Sequence, residues 1–328
     1  MSSFISSFKF RQGWSILIVL LVALLLLEVA TRKVLFRVSK DFSRFSTYPA
    51  RAEELVQKPG LRVALIGNSA TQRGVDVQIL KDAFAPYEVG SVDVDMFVAD
   101  GSHIQTWYFM LERYFWNAKR KPDLFVFNFS GNRGLADGEH IDIGRLAQFF
   151  TTTDDWQTLF ASDLTSWSDR TEFVLSSGWA TFAARQRIKD QALATVVPSY
   201  RDFATTVNDE NQHHVSLRSP AEPATRQAEH TALKRLLGRA KEEQSNLCFV
   251  SFPCRDAYQI PAESLELLHS DGIPYVDLRH VDHLTSDMYE DDIHLQEAGR
   301  AVYSRRLAQA LAPLVKKLGQ QRVATSVR

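Results

Sequence analysis

The chain opens on an unbroken apolar run and then changes period several times. From Ile16 to Leu27 every position is apolar, and Gly13, Trp14 and Ser15 extend the tolerable stretch upstream. Glu28 interrupts before Val29 and Ala30. About 18 residues result, near the lower limit for crossing a ~30 Å hydrocarbon core. Residues 31–60 read as a juxtamembrane stalk that ends at the turn signal Lys58-Pro59-Gly60. Leu61–Ile66, apolar except for Arg62, suits a strand buried on both faces. Asp76 is placed to cap a helix carrying Val77, Leu80 and Phe84 on one side. Val92, Val94, Met96 and Val98 alternate with mostly polar neighbours and predict a second strand. Ile104, Trp107, Leu111 and Phe115 return to helical spacing, and the turn Lys119–Pro122 leads into a third strand, Leu124–Phe129.

Strands alternating with helices predict an α/β fold, a three-layer α/β/α sandwich around a parallel sheet. Residues 133–218 break the rhythm with Trp156, Trp167 and Trp179, many Asp, Ser and Thr, and helical stretches such as Trp179–Ala194. They read as a helical insertion, a lid over the open end of the sheet. The alternation resumes with a charged helix near Thr225–Glu243, strands at Leu247–Phe252 and Tyr275–Leu278, and a last helix carrying Leu307, Leu311, Leu314 and Leu318. The expected organisation is an anchor over 1–30, a stalk over 31–60, one α/β domain over 61–318 that holds the insertion, and a tail over 319–328.

Composition narrows the class. Of 328 residues, 45% are hydrophobic and 23% charged, which excludes a disordered, collagen-like or multi-pass membrane chain. Lys and Arg total 38 against 39 Asp and Glu, so a broad nucleic-acid surface is not expected. That balance hides an asymmetry. Residues 1–45 hold seven basic and two acidic groups, a net of +5, which leaves −6 on the remainder. The apolar run competes with a cleavable signal, but cleavage after Ala30 would put Glu28 at the minus-three position, where small residues are wanted. Basic residues flank both ends, Lys9 and Arg11 before and Arg32, Lys33, Arg37, Lys40 and Arg44 after. The local charge bias alone would keep the body cytoplasmic, although long domains translocate largely regardless of it. Cys248 and Cys254 are too few for a disulfide scaffold or a four-cysteine zinc site and read as small buried hydrophobes.

Three polar clusters fall at strand ends, on the sheet edge where open α/β folds bind ligands, and a fourth lies before the last helix. Gly67-Asn68-Ser69 follows the first strand; its serine points into the crevice or simply caps the next helix. Ala99-Asp100-Gly101-Ser102 follows the second strand, with His103 beside it. Phe127-Asn128-Phe129-Ser130-Gly131-Asn132 ends the third. Asp291-Asp292-Ile293-His294 precedes the last helix, and an Asp and His three apart converge so that the carboxylate holds one imidazole nitrogen and frees the other as a base. That motif also reads as a surface turn, or as half a metal site with His280 and His283. Each cluster also has an ordinary turn reading, because Gly, Asn, Asp and Ser are turn formers.

Taken in order, the four pieces resemble the SGNH, or GDSL-type, hydrolase superfamily, over roughly residues 61–132 and 245–318. The resemblance implies a flavodoxin-like three-layer fold with Ser69 as nucleophile, His294 as base and Asp291 as its orienting acid. It also implies an oxyanion hole from the Ser69 and Gly101 N–H groups and the Asn132 amide, with no metal and no cofactor. Two departures stand out: Gly-Asn-Ser replaces the usual Gly-Asp-Ser, and Ser130-Gly131-Asn132-Arg133 replaces the usual Gly-x-Asn-Asp.

An N-terminal span before such a body, and the phrase Ala64–Asp76, resemble the partner proteins of membrane-bound O-acyltransferases that modify exopolysaccharides and cell-wall polymers. That branch implies acyl transfer, in the first instance of acetyl groups, to or from a glycan. It implies a single-pass protein of the bacterial inner membrane with an extracytoplasmic active site, working with an O-acyltransferase or polysaccharide-synthesis complex. The alternatives are a tethered hydrolytic esterase, such as a deacetylase or lysophospholipase, and a non-catalytic subunit that retains the fold.

Overall fold

The computed structural model describes residues 2–35, 39–131, 134–137, 141–197, 199 and 230–326. Five strands form one parallel sheet: β1 (Leu61–Gly67), β2 (Val92–Val98), β3 (Leu124–Phe129), β4 (Leu247–Ser251) and β5 (Tyr275–Asp277). Their order is β2-β1-β3-β4-β5. The chain steps outward from β1 to β2, then crosses back to β3 and continues the other way. The carboxyl ends of β1 and β3 therefore flank the point where direction reverses, the usual ligand crevice of such sheets.

Both faces of the sheet are buried, which is why its strands read as nearly continuous apolar runs. Alternation divides them. Leu61, Val63, Leu65, Val92, Val94, Leu124, Val126, Cys248 and Val250 pack on one side with Leu80, Phe84, Tyr303, Leu307, Leu311 and Val315. The helices of that layer are Ser69–Gly74, Val77–Asp82 and Glu297–Ser326. Ala64, Ile66, Phe97, Phe125, Phe127 and Phe249 face the opposite side, where an aromatic core gathers. Phe127 and Phe249, cross-strand neighbours in register, stack with centroids 4.7 Å apart. The three-layer α/β/α arrangement expected from the alternation is what the chain adopts.

The stretch expected to be a stalk needs correcting. Lys40–Gln57 is a helix, and its buried residues Phe42, Phe45, Tyr48, Ala52 and Leu55 recur at helical spacing and belong to the aromatic core. Pro49 within it and a high density of charge obscure that period in the sequence. Each large apolar side chain it buries stabilises the fold by roughly 1.5–3 kcal/mol, so this segment is structural rather than a tether. It also covers the exposed edge of β2. The Tyr48 hydroxyl donates to the Val98 carbonyl at 2.6 Å and accepts the Val98 N–H at 2.9 Å, and Arg51 donates to the Met96 carbonyl at 2.9 Å. An uncovered edge strand would present those groups to other chains.

The described part of the insertion also differs from a lid. Leu146, Phe149, Phe150, Leu159, Leu164, Phe173 and Ala184 join the aromatic core on the sheet face beside Phe42 and Phe45. The helical stretch expected over Trp179–Ala194 is two helices, Ala180–Ala183 and Arg185–Val196. The charged helix runs Thr231–Glu242, and residues 225–229 of the expected span lie outside the described residues. At the N-terminus a helix covers Ser2–Ala30 and continues as a π-helical turn over Thr31–Leu35; the stretch Trp14–Lys33 holds an 18-residue window of mean hydropathy 2.5 with almost no burial, long and apolar enough to cross a membrane.

Candidate active site

Ser69 is the first residue of a six-residue helix that leaves the end of β1. Asn68, in extended conformation, caps that helix by accepting the Ala70 N–H at 3.1 Å, the favoured role for Asn at this position. The replacement of the usual aspartate thus keeps the cap. Gly67 serves close approach rather than unusual dihedrals: a Cβ there would lie 2.0 Å from Thr71 Oγ1 and 3.0 Å from the Asn128 carbonyl. Thr71 in turn donates to that carbonyl at 3.2 Å, so the helix start is seated directly on β3.

His294 arrives from a short hairpin. Tyr289 and Leu295 form an antiparallel bridge, Glu290 N–H donates to the His294 carbonyl at 2.8 Å, and Gln296 N–H donates to that of Met288 at 2.9 Å. Gly299 lets the following helix pack against this hairpin, since a Cβ would meet the Met288 carbonyl at 2.7 Å. Within the hairpin, Asp291 Oδ1 accepts the N–H groups of Ile293 at 2.9 Å and His294 at 2.7 Å. Its Oδ2 lies 2.6 Å from His294 Nδ1, and His294 Nε2 lies 3.0 Å from Ser69 Oγ. Residues 225 positions apart thus complete one hydrogen-bonded relay. Burial works against a charge on Asp291, but the His294 side chain and the two N–H donors outweigh it and hold the carboxyl below its usual value of 3.8. His294 itself is buried.

Gly101 follows β2, which neighbours β1, in a turn closed by Ser102 N–H donating to the Ala99 carbonyl at 3.1 Å. Its φ of +64° favours glycine, and no atom would meet a Cβ there, so its side of the turn is open. Asn132 lies outside the described residues, as does Arg133. Of the five residues picked out in the sequence, Ser69, His294 and Asp291 are brought together by direct hydrogen bonds and Gly101 stands at the neighbouring strand end.

The other polar candidates have different places. Ser102 is buried, accepting the Trp107 indole N–H at 2.8 Å. His103 precedes the helix Ile104–Leu111 without capping it, and burial lowers its imidazole pKa. Cys254 is not a rival nucleophile, because burial pushes its thiol up to about 12. Among the described residues no group of three or more His, Cys, Asp or Glu side chains is placed to hold a metal ion, and His280 and His283 lie exposed in a separate loop.

Three supporting contacts were not legible in the sequence. Arg255, after β4, donates its N–H to the Asp292 carbonyl at 2.8 Å and ion-pairs with the Asp292 side chain, clamping the loop that carries Asp291. Arg73, on the Ser69 helix, pairs with Glu290 at 2.9 Å. Asp41 gathers Arg44, Arg145 and Arg187 at 2.8, 3.3 and 2.6 Å. Arg44 also reaches Gln72 and Asp100, and Arg145 reaches the Asp100 carbonyl. The segment after the apolar helix and the insertion are thus joined to the turn that holds Gly101. Apart from Asp41–Arg44, three positions apart, and Arg44–Gln72, 28 apart, these partners lie between 37 and 217 positions from one another.

No family model matches the chain, and no curated protein does. Among solved structures it is similar to an alpha/beta hydrolase enzyme from the metagenome of Lake Arreo, Spain, at 13% identity and a TM-score of 0.39, covering 80% of this chain and 99% of that one. It is similar to a GDSL-like lipase from Bacteroides thetaiotaomicron at 12% identity and a TM-score of 0.37, over 83% and 98% of the two chains. An acetyl xylan esterase from Geobacillus stearothermophilus aligns at 12% identity and a TM-score of 0.36, over 77% and 93%. Likeness at this level assigns no role to any residue.

Proposed function

We propose that the chain is a serine-dependent acyl-ester enzyme of SGNH type that acts on O-acyl, in the first instance acetyl, groups of a cell-envelope glycan. The observation that carries this reading is the relay from Ser69 Oγ through His294 to Asp291 at 3.0 and 2.6 Å. In the neutral imidazole with its proton on Nδ1, Asp291 accepts that N–H and Nε2 is free to take the serine proton. As Ser69 Oγ bonds to the acyl carbonyl carbon, its proton passes to Nε2. When the tetrahedral adduct collapses, the bond to the leaving alkoxide breaks and Nε2–H protonates that oxygen. An acceptor hydroxyl or water then attacks the acyl-serine, giving its proton to Nε2; as that second adduct collapses, the bond to Oγ breaks, Nε2–H returns the proton to Oγ, and the acylated acceptor or free acid leaves.

Charge developing on the carbonyl oxygen calls for donors at the same edge. The Ser69 N–H, at a helix start, and the Gly101 N–H are proposed for this, with the Asn132 amide as third donor from the sequence pattern. One such donor is worth about 3 kcal/mol of transition-state stabilisation. The apolar helix supports a membrane setting: a single-pass protein of the bacterial inner membrane, its site extracytoplasmic, working beside a membrane-bound O-acyltransferase or polysaccharide-synthesis complex.

The test is covalent labelling of the folded full chain by a fluorophosphonate. Labelling that Ser69→Ala abolishes supports the reading, and no labelling of folded protein overturns it. An acetyl ester donor supplied with and without glycan acceptor then separates the two outcomes. Acetylated glycan marks transfer, whereas free acetate unchanged by acceptor marks hydrolysis alone.

A further inference from the structure

Glu28 is the one charged residue between Arg11 and Arg32, inside a segment otherwise suited to lipid. Its carboxylate is shared between Arg32, whose Nε donates to Oε1 at 2.7 Å from the next helical turn, and the insertion. Oε1 accepts the Ala180 N–H at 2.9 Å, and Oε2 accepts the Thr181 N–H and the Thr181 hydroxyl, each at 2.9 Å. The hydroxyls of Thr31 and Thr181 lie 3.0 Å apart, and Thr31 is buried. Glu28 precedes the end of the apolar segment at Lys33 by only about 7.5 Å of helical rise. Backbone bonded to it is therefore held at the depth of the lipid headgroups wherever that segment spans a bilayer.

What flanks this backbone suits that depth. Trp179 and Phe182 stack with ring centroids 6.3 Å apart, and the Arg185 guanidinium lies 4.2 Å from the Phe182 ring centroid and pairs with Glu172 at 2.8 Å. Leu175, one turn earlier, accepts the Trp179 N–H at 2.9 Å and is 42% exposed. Val174 is 44% exposed and Trp167, at the start of the same helix, 82% exposed. Aromatic rings with one apolar and one polar end, such as that of Trp179, collect at the membrane–water boundary.

We propose that the segment Leu175–Arg185 is seated in the headgroup layer of the bilayer that holds the apolar helix, as a second membrane contact of the insertion. This rests on reading that helix as a membrane span. The body then does not swing on a tether. Glu28 locks its tilt, and the Asp41 cluster carries that fixed geometry to the turn holding Gly101 and so to the Ser69 edge.

The test uses the full chain reconstituted in phosphatidylcholine–phosphatidylglycerol nanodiscs, with a nitroxide placed singly at Leu175→Cys, Leu20→Cys or Gln309→Cys. All three positions are exposed on the protein, and the unsubstituted chain gives the blank for Cys248 and Cys254. Collision with oxygen against a water-soluble nickel chelate reports depth. The expected result is chelate access at Leu175 several-fold below that at Gln309 and nearer that at Leu20. Equal chelate access at Leu175 and Gln309, with Leu20 protected, overturns the docking and leaves the span intact. Chelate access at Leu20 overturns the span and the docking with it.

Discussion

The carboxylate of Asp291 bonds His294 twice, through Oδ2 to the ring Nδ1 at 2.6 Å and through Oδ1 to the backbone N–H at 2.7 Å. One side chain therefore sets both where the imidazole is attached and how it is turned. That orientation aims Nε2 at Ser69 Oγ, the geometry that the proposed general base needs.

Removing either end of the relay is expected to abolish turnover with little change in folding. Ser69→Ala and His294→Ala should each lower kcat/KM by about 10⁴-fold or more. Ser69 is only half-buried, so its thermal midpoint should stay near that of the parent chain. Steady-state hydrolysis of an activated acetyl ester, with a melting curve for each variant, checks both statements. Activity that survives both substitutions refutes the triad.

Asp291 also links the site to acid stability. Its pKa is lower in the folded chain than its usual value of 3.8, so its stabilising contribution is complete above that value. The contribution drains as the pH falls below 3.8 towards the depressed folded value. Asp291→Asn should therefore flatten the stability–pH curve below about pH 4, while lowering turnover at neutral pH by about 10⁴-fold through loss of the correct tautomer. Chemical denaturation between pH 2.5 and 6, parent against variant, reads the first effect.

The Arg255–Asp292 contact holds the same loop from β4. Asp292→Asn removes the ion pair and leaves the Arg255 N–H to Asp292 carbonyl bond in place. An expected fall in kcat of about 10-fold, with KM nearly constant, marks a positioning role. A variant indistinguishable from the parent would show that the hairpin hydrogen bonds hold His294 unaided.

Two glycines should respond differently to alanine. At Gly67 a Cβ meets Thr71 Oγ1 at 2.0 Å and backbone at 3.0 Å, so Gly67→Ala should cost about 1–3 kcal/mol from overpacking and displace Ser69. At Gly101 the space is open and only the φ of +64° resists. Gly101→Ala should cost about 1 kcal/mol from backbone strain. Equilibrium urea unfolding of both variants separates a steric from a conformational requirement.

Tyr48→Phe tests the helix that covers the edge of β2. The substitution leaves the buried Val98 N–H and carbonyl without their shared partner, an expected loss of about 1–3 kcal/mol. Fluorophosphonate labelling of Ser69 should be unchanged at temperatures where the variant is folded. A silent substitution would mean that water replaces the phenol at that edge.

The sequence by itself determined the elements whose physics is local. Strands buried on both faces, as in Leu61–Gly67 and Leu124–Phe129, show as continuous apolar runs, and the helix after Asp76 shows through its cap and period. Asp291 and His294 were legible together because three residues of chain bring them into contact. The long apolar helix was legible from composition alone. Whether Ser69 meets His294 was decided only by the tertiary structure, because that contact depends on the order β2-β1-β3-β4-β5 and on the last helix packing against the Ser69 layer. The same holds for Lys40–Gln57, whose place was hidden by Pro49 and by charge until β2 supplied Val98 as the partner of Tyr48. Glu28 shows the division most plainly. In the sequence it is an interruption of an apolar run with one local partner, Arg32 four residues on; only the folded chain adds the N–H groups of Ala180 and Thr181. Local pattern sets which segments form; the pairing of distant polar groups, which costs free energy when left unmade, is set by how those segments pack.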